Sequence, residues 1–118
     1  MYSAQLLDHF EHPRNSGELP GADAYVRIEN PACGDILELA VSMEAGQIAV
    51  IRFRAKGCVP AMASASVITE LAKGKSIQDA AAITTGDVES VLGRMRPASR
   101  HAAQLAIDAL HAVLNKLP

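Results

Sequence analysis

Residues 35–56 constrain the fold more than any other stretch. Leu37, Leu39, Val41 and Met43 fall on one side of an extended chain, and Glu38 and Ser42 on the other. This is the two-residue period of a half-buried strand. Glu44-Ala45-Gly46 supplies a turn, and the return run groups Ala49, Ile51, Phe53 and Ala55, with Arg52, Arg54 and Lys56 turned to water. A hairpin with one apolar face must cover that face. Ala24-Tyr25-Val26-Arg27-Ile28-Glu29 has the same period, which extends the hairpin to an antiparallel meander of about three strands.

Helical spacing surrounds this meander. Leu6, Leu7 and Phe10 mark an amphipathic helix over Ser3 to Glu11, stopped at His12-Pro13 because a proline disfavours helix at the residue before it. Pro60 suits the first turn of a second helix, which runs through small residues and Val67, Ile68 and Leu71 to an end near Lys73-Gly74. Ser76 caps a brief helix through Ile83, and Thr85-Gly86-Asp87 opens another through Leu92. Gly93 and Pro97 then break the pattern before a last helix, Ser99 to Asn115, with a stripe of Ala103, Ala106, Ile107, Leu110 and Leu114. The expected class is α+β: a small antiparallel sheet of about three strands packed by helices, in one domain over residues 1–118. Aromatics are only 3% of the chain, so Ala, Val, Ile and Leu must build the core.

Charge and hydropathy narrow the function classes. A formal charge of −2 gives no broad basic surface for a phosphate backbone, which argues against a nucleic-acid partner. No stretch approaches the roughly 20 apolar residues of a membrane span, and Met1-Tyr2-Ser3-Ala4-Gln5 lacks the features of a secretory signal. The expected compartment is the cytoplasm, where thiols stay reduced and two cysteines are more often ligands or nucleophiles than a disulfide.

Those two cysteines carry the chemistry. Cys33 precedes Gly34-Asp35, and Cys58 follows Lys56-Gly57. At 25 positions apart they are too distant for a C-x-x-C knuckle, but strand pairing can bring their loops to one end of a sheet. Cys58 falls just before the second helix, where the partial positive charge of the helix terminus, with Lys56 nearby, favours the thiolate. His101 opens the last helix and can project toward the same loops. His9, His12 and His111 have no neighbouring candidate ligand and are expected at the surface. The residue types alone leave open a buried filler role for the cysteines, a metal site of Cys33, Asp35, Cys58 and His101, and a thiol hydrolase. In that last reading Cys58 is the nucleophile, His101 the base and Asp35 its orienter, but the chain offers no oxyanion motif.

Several ordered motifs then add specificity. Tyr2-Ser3 with Asp8-His9-Phe10-Glu11-His12-Pro13-Arg14-Asn15, Asn30-Pro31-Ala32-Cys33-Gly34-Asp35, Lys56-Gly57-Cys58 with Ala63-Ser64-Ala65-Ser66, and Glu70-Leu71-Ala72-Lys73-Gly74-Lys75-Ser76 together resemble the IscU/NifU-type iron-sulfur cluster scaffold proteins. The resemblance implies a small antiparallel sheet with helices and a site at one exposed end, where Cys33, Asp35, Cys58 and His101 match four of the family's five site residues. The family's third cysteine follows the histidine, and here Ala102 takes its place. What is implied is a scaffold or carrier, not an enzyme, that holds a [2Fe-2S] cluster, iron or zinc. The implied partners are a cysteine desulfurase, apo iron-sulfur acceptor proteins and a second copy of the chain. The family's Leu-Pro-Pro-Val-Lys segment is altered to Met95-Arg96-Pro97-Ala98-Ser99, which argues against hand-off by the dedicated Hsp70-type chaperone, and the insertion of the zinc-dependent SufU branch is missing. The alternative is an assembly-incompetent adaptor, zinc-bound or metal-free, that docks on a desulfurase.

Overall fold

The computed structural model describes residues 2–31, 34–93 and 95–118, and of Ala98 the backbone alone. Three strands, β1 (Ala24–Asn30), β2 (Asp35–Glu44) and β3 (Gln47–Lys56), form an antiparallel sheet in the order β1-β2-β3. The helices are α1 (Ala4–Glu11), α2 (Val59–Ala72), α3 (Ile77–Ala81), α4 (Thr85–Leu92) and α5 (Arg100–Leu114), with a 3-10 turn over Pro97–Ser99 ahead of α5. The expected α+β meander is therefore the fold.

Alternation divides the sheet into two faces. Val26, Leu37, Leu39, Val41, Ile51 and Phe53 are buried against α2 and α5, and their apolar area removed from water is the main force holding the layers together. On the other face Glu38 accepts hydrogen bonds from Tyr25 Oη and Arg54, both at 3.0 Å, and Arg54 also reaches Glu18 at 2.8 Å. The register pairs Met43 with Ile48 but Ser42 with Val50. Ala49 is thus the extra residue of a bulge, and the alternation expected through Ala49 shifts: Ile48 is the buried residue and Ala49 is only half-buried. The outer edge of β3 is not left open, because Gly17 N–H donates to Phe53 O at 2.9 Å and Phe53 N–H to Asn15 O at 3.0 Å.

Helix α2 is apolar or small nearly all round, and it lies at the centre of the helical layer, touching α1, α3, α4, α5 and β3. On α1, Leu7 faces solvent, whereas His9 is only 5% exposed. The expectation that His9 lies at the surface is corrected. Its Nδ1 lies 2.8 Å from Ser66 Oγ of α2, and a buried imidazole with a polar partner on the next helix takes the place expected for Leu7. Ser66 Oγ also accepts Arg14 N–H at 2.9 Å, and Asn15 Nδ2 donates to Thr69 Oγ1 at 3.1 Å. Side chains of α2 therefore satisfy the backbone and side chains of the loop after α1. At the other end of α1, Ser3 caps the helix by accepting Leu6 N–H at 3.0 Å and donates its hydroxyl to Leu92 O.

Candidate metal centre

Strand pairing sets the centre. Asp35 is the first residue of β2 and lies across from Asn30, while Ile36 pairs with Lys56 at the end of β3. Two residues beyond Lys56, Cys58 serves as the N-cap of α2. Adjacent strands that end together thus bring the carboxylate beside the cysteine, although 22 residues separate them along the chain. Asp35 is 3% exposed, and its Oδ1 accepts the Cys58 N–H at 3.2 Å while Oδ2 lies 3.5 Å from Cys58 Sγ.

Gly57 makes this approach possible. It has φ +157°, and a Cβ built on it would fall 2.2 Å from Asp35 Oδ1 and 2.7 Å from Cγ. No side chain fits between the strand end and the carboxylate. The third donor comes from the opposite layer. The 3-10 turn Pro97–Ser99 starts α5 so that His101 stands, exposed, in its first turn. One ligand atom each from Asp35, Cys58 and His101 lie within 4.8 Å of one another. Donors around a tetrahedral zinc sit about 3.3–3.8 Å apart, so the three lie near that spacing.

Oxygen, sulfur and nitrogen donors together suit zinc or iron, which accept mixed ligands, and do not suit magnesium or calcium. Cys33, the fourth residue expected here, lies outside the described residues. Ala102 is 1% exposed and packed in the interior, so the position after His101 presents a methyl group to the core. The donors line a depression of about 570 Å³ together with Tyr2, Gly57, Pro60, Arg96 and Ser99. The sequence reading did not place Tyr2, Arg96 or Ser99 at the site. The only signal for them was proximity, Tyr2 to the first helix cap and the other two to the break before His101.

The fold is that of a family. The NifU-like N terminal domain family matches residues 1–118, and the chain belongs to it. Its relatives include iron-sulfur cluster assembly scaffold protein IscU 1 of Archaeoglobus fulgidus, 39% identical over 114 residues, which are 97% of this chain and 74% of that protein. Iron-sulfur cluster assembly scaffold protein IscU of Escherichia coli strain K12 is 38% identical over 117 residues, 96% of this chain and 91% of that one. Among solved structures, a NifU-like protein (N-terminal) from Brucella abortus superposes with a TM-score of 0.79 over 98% of this chain and 92% of its own, at 18% identity. A chain from Fervidobacterium islandicum AW-1 does so with a TM-score of 0.80 over 96% of each, at 23% identity. At those identities the two structures speak for the fold. Among the described residues, no helix is long and apolar enough to cross a membrane.

Proposed function

We propose that residues 1–118 form one scaffold domain that holds iron, a [2Fe-2S] cluster or zinc through Cys33, Asp35, Cys58 and His101 and passes its cargo on. The observation that carries this reading is the meeting of carboxylate, thiol and imidazole within 4.8 Å at an open depression. The relatives' names as iron-sulfur cluster assembly scaffolds support it. A [2Fe-2S] cluster needs four protein ligands and tolerates a non-cysteine ligand on one iron in some centres. Two thiolates with harder oxygen and nitrogen donors grip it less firmly than a larger thiolate set, which suits release. The reading needs no catalytic residue. Its partners are a cysteine desulfurase, as sulfur source, and apo iron-sulfur proteins in the cytoplasm, as recipients.

The test is elemental analysis of the purified chain beside its His101→Ala variant, followed by anaerobic reconstitution. The expected results are stoichiometric metal in the wild type, visible absorbance after reconstitution, and at least about tenfold weaker metal binding in the variant. Equal, poor uptake of iron and zinc by the wild type and Cys33→Ala would overturn the proposal.

The buried methyl of Ala102 favours one second reading, an adaptor that docks on a desulfurase without building clusters. Pull-down with a desulfurase and a persulfide assay on Cys33 and Cys58 separate the two. Sulfur found on either thiol and then incorporated into a cluster eliminates the adaptor.

A further inference from the structure

The depression that the donors line holds further chemistry. Among the described arginines, Arg14, Arg27, Arg54 and Arg100 sit in ion pairs with Asp8, Glu29, Glu18 with Glu38, and Glu89 respectively. Arg52 donates to Asn15 Oδ1 at 3.3 Å and to Ile51 O at 3.2 Å. Arg96 has no such partner among the described residues, and it lines the donor depression. Ser99 and Tyr2 line the same depression. A depression of about 570 Å³ falls in the range of small-molecule sites, roughly 300–1,000 Å³. A guanidinium is a planar fork that matches a carboxylate in two parallel hydrogen bonds. The depression therefore has both soft-metal donors and a carboxylate receptor in its lining.

We propose that this depression binds a low-molecular-weight thiol that carries a carboxylate, with its sulfur on the metal and its carboxylate on Arg96. The inference rests on the reading that Asp35, Cys58 and His101 hold a metal. The thiolate enters in exchange for Asp35. That carboxylate is the hardest of the donors, and it already has a resting place in its hydrogen bond from Cys58 N–H, whereas a soft sulfur donor binds zinc or iron more firmly. Asp35, Cys58 and His101 would hold the ion, and the thiol, its S–H proton lost to solvent, would take the position that Asp35 gives up, with no redox change.

The test uses the full chain loaded anaerobically with Co(II) in place of zinc and titrated with 3-mercaptopropionate, its methyl ester, and 2-mercaptoethanol. The readout is sulfur-to-cobalt charge-transfer absorbance, with cobalt content measured after desalting. The expected result is added charge-transfer intensity with cobalt retained, and 3-mercaptopropionate binding at least about tenfold tighter than its ester or 2-mercaptoethanol. Arg96→Gln should erase that preference and leave cobalt content unchanged. Cobalt uptake with no response to thiols, equal affinity for the acid and its ester, or cobalt lost to the thiol on desalting overturns the inference and leaves the metal centre standing. No cobalt uptake by the wild type sinks the metal centre itself.

Discussion

At the scale of single residues, Gly57 and two serines of α2 make the sharpest tests. Gly57→Ala places a methyl group 2.2 Å from Asp35 Oδ1, so the carboxylate must move or the turn must open. The expected cost is about 1–3 kcal/mol in urea unfolding, with weaker zinc binding in the same protein, because the displaced group is itself a donor. Ser66 and Ser64 are both fully buried and two positions apart, yet they predict opposite outcomes. Ser66→Ala strips partners from Arg14 N–H and His9 Nδ1 and should cost about 1–3 kcal/mol. Ser64 Oγ has no hydrogen-bond partner among the described residues, so Ser64→Ala should leave stability unchanged or raise it by up to about 1 kcal/mol. Chemical denaturation of the pair under one set of conditions checks both. Asp35, Cys58 and His101, which the structure brings within 4.8 Å of one another, could be singled out as candidates because donor types beside turn glycines and a helix start are visible in one dimension. The need for Gly57 to lack a side chain was not visible, since it arises from a carboxylate on the neighbouring strand.

At the scale of elements, α1 is held to α2 through His9, and that contact is pH-sensitive. Burial, ahead of the nearby Arg14 charge, lowers the His9 pKa below the ordinary 6.5, and Glu70, 3.6 Å from Nε2, opposes the shift only in part. The folded chain therefore keeps this imidazole neutral at a pH where the unfolded chain has already taken up a proton. The stability contributed by His9 is full above about pH 6.5 and is lost as the pH falls toward the lowered folded value. A series of urea midpoints between about pH 7 and pH 5 should fall less steeply for His9→Gln than for wild type. Capping was more legible. Ser76 caps α3 as read, and α4 starts at the expected Thr85, with Thr84 ahead of it as N-cap in a reciprocal capping box with Asp87. Thr84→Ala should cost about 1 kcal/mol in the same assay. The bulge at Ala49 and the inward turn of His9 escaped the sequence for one reason. Period-based reading assumes uninterrupted alternation and apolar interiors, and tertiary pairing overrode each assumption once.

At the scale of the whole molecule, the donors come from β2, the start of α2 and the start of α5, so the centre exists only when sheet and helical layers are docked. A metal that binds the folded chain and not the unfolded one must then stabilise the fold. At free zinc about a hundredfold above the dissociation constant, the gain should be about 2.7 kcal/mol, seen as a higher Tm that a chelator reverses. The α+β class and the sheet order were legible because three alternating runs with a tight turn leave few other pairings. The part of the lining given by Tyr2, Arg96 and Ser99 was not, because it comes from segments far apart in sequence, the start of the chain and the loop before the last helix.

The fastening of Ser3 to Leu92 has a practical outcome at the bench. It ties down the start of the described chain, where Tyr2 borders the depression, so residues fused ahead of the chain start close to the candidate centre. A polyhistidine tag placed there would set its own imidazoles near the candidate donors and compete with them in any metal titration, whereas a tag after Pro118, beyond the end of α5, would start from the far end of that helix from His101.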